Sequence, residues 1–183
     1  MSTPNAPADA SPLLLDRLEG GVVVLTLNRP QATNALSLEL QALLSQRFTE
    51  LADDDTVRCI VLTGGEPMLQ IDAALIAALH ARGFEIAVES NGTLPAADGI
   101  DWLCISPKAG TDVVQRRGDE LKLVWPQPGS DVAGLAALDF THRLVQPLDD
   151  PIAAENVQHC IDLVMADPRW RLSLQTHKGL GLR

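Results

Sequence analysis

The chain has 183 residues, with 24 acidic and 14 basic side chains and a net charge of −10. That length suits one ordinary domain or two small ones, and the acidic balance excludes a broad phosphate-binding surface for nucleic acid. At 46% hydrophobic and 21% charged it is a folding composition, and with three Phe, three Trp and no Tyr its core must come from Leu, Val, Ile and Ala.

Residues 1–12 (MSTPNAPADASP) contain nothing that can bury a face and are expected to form a disordered tail. LLLDRLEGG and VVVLTLNRP then predict two strands around Glu19-Gly20-Gly21, the second stopped by Pro30. Leu36, Leu40, Leu43, Leu44, Phe48 and Leu51 recur at three- and four-residue steps, the apolar stripe of an amphipathic helix. Asn34 is its candidate N-cap, and Asp53-Asp54-Asp55 end it near Ala52, because carboxylates are disfavoured at the negative helix terminus. The rhythm changes at Val57. VRCIVLTGG, FEIAVES, DWLCIS, DELKLVWP, HRLVQP and WRLSLQT read as strands. IDAALIAALHARG, residues 131–138 and IAAENVQHCIDLVMA read as helices. The expected organisation is a tail (1–12), a β-β-α segment (13–56) and an α/β part (57–183) built as a parallel sheet or partial barrel.

In such folds chemistry gathers at the C-terminal ends of the strands. Those ends carry Thr63-Gly64-Gly65-Glu66-Pro67, Glu89-Ser90-Asn91-Gly92, Ser106-Pro107-Lys108, Gln146-Pro147-Leu148-Asp149 and Gln175-Thr176-His177-Lys178. Each has a functional and a structural reading. Gly64-Gly65 admits a ligand to the main chain or makes a tight turn. Glu89 and Asn91 bind an ammonium or hydroxyl, or form an Asn-Gly turn beside a solvated Glu. Ser106 and Lys108 grip a carboxylate, or Lys108 is a surface lysine. His177 is a proton carrier or a structural histidine. The three Trp are expected in the core or at its rim. Cys59, Cys104 and Cys160 are far apart and lie in apolar patterns, so all three read as core residues rather than a disulfide framework. No apolar stretch is long enough to span a bilayer and no secretory signal pattern opens the chain, so a cytoplasmic protein is expected.

TGGEPMLQ, FEIAVESNGT, GIDWLCISPKAG, GDELKLVWPQ, LVQPLDDP and WRLSLQTHKGLG resemble, in order and spacing, the C-terminal two-thirds of the 7-carboxy-7-deazaguanine synthases. GGEP is shared across the radical S-adenosylmethionine (SAM) superfamily, whereas SPKAG, DELKLV and RLSLQTHK are specific to this family. The resemblance covers Thr63 to Arg183. It implies a partial (β/α) radical-SAM-type barrel, often a homodimer, that contracts the pterin-like substrate 6-carboxy-5,6,7,8-tetrahydropterin to 7-carboxy-7-deazaguanine, a step of queuosine-precursor biosynthesis. It further implies SAM, a [4Fe–4S] cluster and Mg²⁺. On it, Thr63, His177 and Arg183 fall on the substrate side. Gly64, Gly65, Glu66, Glu89, Asn91, Ser106, Pro107, Lys108, Gln146, Pro147, Leu148 and Asp149 fall on the SAM side. The family's cluster loop, with its close Cys-x-x-Cys pair and Mg²⁺-binding threonine, precedes the matched segment, and nothing in this chain replaces it. Residues 13–63 instead resemble the opening of a crotonase, through VxxLTLNRPxxxNALS, and so imply a crotonase-like β-hairpin and helix. VLTG then runs straight into GEPMLQ, without the crotonase oxyanion-hole segment or its later carboxylates. The chain thus reads as a chimera joined inside the strand at Val57–Gly64.

Overall fold

The computed structural model describes residues 11–32 and 34–176. The chain divides into two compact units, Met1–Glu66 and Pro67–Arg183.

In the first unit, β1 (Leu13–Leu18) and β2 (Val22–Leu27) form an antiparallel hairpin in register from Leu13↔Leu27 to Leu18↔Val22. Its turn needs two glycines, since Gly20 and Gly21 both have φ of 78°. Of the expected tail, Ser11 and Pro12 are described, and Pro12 is already ordered: its carbonyl accepts from the Asn28 N–H at 2.9 Å. Helix α1 (Leu38–Ala52) follows, and β3 (Cys59–Thr63) pairs parallel with β2. Leu13, Val23, Leu25, Leu27, Leu40, Leu44 and Leu51 form its core.

Three expectations are corrected here. Ser37, not Asn34, caps α1, its hydroxyl accepting from the Leu40 N–H at 3.2 Å. Asn34 instead lies at φ 57°, accepts from the Arg29 N–H at 2.7 Å and donates to the Gly64 carbonyl. It ties two loops together rather than starting a helix. The strand expected to open the barrel, Val57–Gly64, closes the N-terminal sheet as β3. The reason is local connectivity: β2, α1 and β3 form a β-α-β crossover, which closes a parallel pair between near neighbours in sequence. Cys59 is exposed on β3 rather than buried, because β3 is an edge strand.

The second unit opens with a 3-10 turn at Pro67–Leu69, followed by α2 (Ala73–His80). It contains a parallel sheet of β4 (Ala87–Ser90), β5 (Trp102–Ile105), β6 (Arg117–Trp125), β7 (Asp139–Pro147) and β8 (Arg171–Leu172). Strand order follows chain order, as in an arc of a β/α barrel. The short α3 (Val132–Ala136) connects β6 to β7, and α4 (Ala153–Ala166) connects β7 to β8. Register sets the faces. Val88↔Leu103, Ile105↔Leu121 and Leu123↔Val145 pair on the buried face and pack with Ile76, Cys160 and Trp170. Side chains alternate along a strand, so the opposite face carries the row Glu89, Cys104, Glu120 and His142, each paired with the next across neighbouring strands. Among the described residues no helix is long and apolar enough to cross a membrane.

Candidate functional site

Because β4 to β8 are all parallel, their C-terminal ends share one sheet edge. That edge holds Glu89 near the end of β4 and Asn91 after it, Ser106-Pro107-Lys108 after β5 and Gln146-Pro147-Leu148-Asp149 at the end of β7. The structure therefore brings these nine predicted residues together. Thr63, Gly64, Gly65 and Glu66 end β3 and belong to the other unit. Gly64 has a packing reason of its own: with φ at 112°, a Cβ there would stand 2.7 Å from the Leu27 carbonyl oxygen. His177 and Arg183 lie outside the described residues.

Each loop is held by bonds that the sequence did not announce. After β4, the Ser90 hydroxyl accepts from the Gly92 N–H at 3.0 Å. The Asn91 amide oxygen accepts from the Thr93 N–H at 2.8 Å and from its hydroxyl at 2.7 Å, an Asx-turn. Gly92, at φ 78°, is required: a Cβ would meet Ile105 at 2.6 Å. Glu89, half exposed, receives the Lys122 ammonium at 2.5 Å. Lys122 reaches it from β6 across β5, and this charge-assisted contact holds the Glu89 side chain beside the strand ends.

After β5, the Ser106 N–H donates to the Ser90 carbonyl at 2.7 Å. The Lys108 ammonium donates to the buried Ser106 hydroxyl at 3.2 Å. The Lys108 carbonyl accepts twice from Thr111, from its N–H at 3.3 Å and its hydroxyl at 2.8 Å. After β7, fully buried Asn156 of α4 donates both amide hydrogens back into the loop, to the Leu148 carbonyl at 2.9 Å and to Asp150 at 2.8 Å. The Leu148 N–H donates to the Trp125 carbonyl at 2.8 Å, so the end of β6 lies between the two loops. Lys122 and Asn156 were missed because single polar residues within an apolar strand and an apolar helix carry no distinguishing pattern.

The cysteines do not fit a cluster. Cys104 lies on β5 and donates its thiol to Glu120 at 3.3 Å. Burial and that carboxylate push its pKa far above the usual thiol range. Cys160 lies on α4, where burial pushes its pKa up to about 11. Cluster ligands are thiolates, and these two thiols stay protonated at neutral pH. Cys59 is in the other unit. Among the described residues no three His, Cys, Asp or Glu side chains are grouped to hold a metal.

The chain is of the α/β class, and in open parallel sheets of that class ligands bind beyond the C-terminal strand ends. Comparison with known proteins narrows this. The chain is 52% identical over 149 residues to the 7-carboxy-7-deazaguanine synthase of Bradyrhizobium diazoefficiens, covering 81% of this chain and 70% of that protein. Against the 7-carboxy-7-deazaguanine synthase of Caulobacter vibrioides it is 51% identical over 148 residues, covering 81% and 69%. Residues 17–87 match the enoyl-CoA hydratase/isomerase family. The crystal structure of an enoyl-CoA hydratase from Mycobacterium smegmatis is 28% identical and covers 55% of this chain and 49% of that one, with a TM-score of 0.34. The chain belongs to the 7-carboxy-7-deazaguanine synthase family and is a chimera, with an N-terminal stretch of enoyl-CoA hydratase/isomerase type.

Proposed function

We propose that this chain carries the SAM-side part of a 7-carboxy-7-deazaguanine synthase site and does not itself complete the ring contraction. The observation that carries this reading is about 50% identity to named synthases over most of the chain, combined with cysteines fixed on separate elements. Lys108 and Ser106 grip the SAM carboxylate. Glu89, Asn91 and Gln146–Asp149 border the nucleoside. By the family resemblance Thr63, His177 and Arg183 are the substrate-side residues for 6-carboxy-5,6,7,8-tetrahydropterin, and the working assembly is a homodimer. Reductive cleavage of SAM requires an electron delivered into its sulfonium. The loops position that sulfonium but hold nothing that supplies the electron. The test is anaerobic reconstitution with iron and sulfide, followed by dithionite and SAM. The expected result is weak SAM binding and no 5′-deoxyadenosine; formation of 5′-deoxyadenosine overturns the proposal.

The match of residues 17–87 favours a second reading, an acyl-CoA hydratase or isomerase fragment. VLTG runs into GEPMLQ here, so the oxyanion-hole segment is missing. One oxyanion donor is worth about 10²–10³ in rate. The expected result is no hydration of a short enoyl-CoA, and turnover above buffer would reverse the ranking.

A further inference from the structure

The segment Pro107-Lys108-Ala109 is bracketed by one side chain from the next strand end. Gln127, two residues beyond β6, accepts the Ala109 N–H with its amide oxygen. Its amide nitrogen donates to the Pro107 carbonyl at 3.4 Å and to the Val124 carbonyl at 3.3 Å. The first two bonds land on the residues immediately before and after Lys108, and the third anchors Gln127 to its own strand. Lys108 is exposed and its neighbour Gly110 lies at φ 77°. Thr111 braces the turn at the Lys108 carbonyl, through its N–H at 3.3 Å and its hydroxyl at 2.8 Å, and Gln127 holds the peptide groups on either side of Lys108. The same strand end also receives the Leu148 N–H at the Trp125 carbonyl, so β6 ties the β5 loop to the β7 loop.

We infer that Gln127 is a positioning residue for the SAM site: it holds Lys108 in register with Ser106 and joins the β5 and β7 loops into one rigid edge. This rests on the reading given under Proposed function. Gln127 acts through the Lys108 turn. It removes the cost of ordering the Lys108 turn at the moment of binding, a cost that otherwise subtracts from affinity. Its amide is the side chain the geometry needs, one acceptor and a two-hydrogen donor on a single planar group. Glutamate keeps the acceptor and loses the donors. Methionine keeps the length and loses both.

The experiment compares the full chain with Gln127→Met and Gln127→Glu by amide hydrogen exchange, SAM titration and thermal midpoint. Gln127→Met should speed exchange of the Ala109 amide by about tenfold or more and weaken SAM binding by about tenfold, while the exchange of core amides in β6 and β7 is unchanged. Gln127→Glu should retain part of the Ala109 protection. A merely structural role would slacken β6 and β7 together with the loop. Unchanged Ala109 exchange in Gln127→Met overturns the inference. So does faster exchange with unaltered SAM affinity. If the unaltered chain binds no SAM, the functional reading fails, and Ala109 exchange still decides whether Gln127 holds the Lys108 turn.

Discussion

The two sheets of this molecule differ in what their second face carries. In the N-terminal sheet, one face packs on α1, while the other presents Leu14, Leu18 and Val61, which are 40%, 52% and 41% exposed. In the C-terminal sheet, the face opposite the core presents Glu89, Cys104, Glu120, Lys122 and His142. An apolar outer face is the surface of a sheet meant to be covered. A polar row whose strands end in ordered loops can be solvated as it stands and needs no such cover. The N-terminal unit is thus the opening of one fold without its continuation, and the C-terminal unit is most of another fold without its beginning.

The sharpest way to break this comparison is to give the C-terminal unit its own beginning. Replacing residues 1–62 with the corresponding segment of the Bradyrhizobium relative should restore a broad visible iron–sulfur absorption and 5′-deoxyadenosine formation, from none to a measurable rate. If that exchange fails while the protein folds, the fault lies between Thr63 and Arg183.

The next effect is on stability. Leu25 and Leu121 are both fully buried, but in separate cores. Truncation of either to alanine should cost about 2–5 kcal/mol. All three tryptophans, Trp102, Trp125 and Trp170, belong to the second unit, so intrinsic fluorescence reads that unit alone. Leu121→Ala should therefore shift the urea midpoint seen by fluorescence. Leu25→Ala should leave it in place and move only the backbone circular dichroism. Equal shifts in both signals would show one cooperative core.

What could be read beforehand follows from the range of each signal. The hydrophobic period located α1, α2 and α4, because a helix is specified by residues within a few turns. The strands of the second unit were likewise legible, with Gly92 at the turn after β4, although of WRLSLQT only Arg171–Leu172 forms β8. The partner of β3 was not. A strand that ends in Thr-Gly fits either sheet, and only pairing with Val22–Leu27 decides it. The capping choice at α1 failed for a similar reason: Asn34 and Ser37 are both good caps, and Asn34 is diverted to Gly64, 30 positions away. The strand-end loops were visible as polar clusters. Lys122, Gln127 and Asn156, which hold them, were not: Lys122 and Gln127 act on residues 33 and 18 positions away, and Asn156 is a single polar residue within an apolar helix.

Asn156 supplies a smaller effect. Its two donated bonds fix the loop after β7, and it is completely buried. Asn156→Leu leaves the Leu148 carbonyl without its amide donor, which should cost about 1–3 kcal/mol. Fluorescence-monitored urea unfolding measures this, and amide exchange at Leu148 and Asp149 should accelerate. A variant as stable as the original would mean that the loop finds other donors.

The smallest expected effect lies in the N-terminal unit and depends on pH. The Thr56 hydroxyl at 2.5 Å, the Arg17 guanidinium at 2.8 Å and the Thr56 N–H at 3.0 Å all donate to the Asp54 carboxylate. Together they hold its pKa at about 2, below the ordinary 3.8. A depressed folded pKa means that the native state prefers the charged carboxylate. The stabilisation is therefore complete above the unfolded value near 3.8 and is lost as pH falls through about 2. The ion pair is solvated, so its contribution is small and weakens further with salt. In Asp54→Asn this pH-dependent contribution is gone. The stability difference between the two proteins, followed by Leu and Val methyl resonances of the first unit, should be flat above about pH 5 and shrink between about 4 and 2. It should shrink less at high salt, where it is smaller to begin with. A difference that stays constant down to pH 2 would show that the loop does not distinguish the ionised carboxylate, and that Arg17 only covers the turn between α1 and β3.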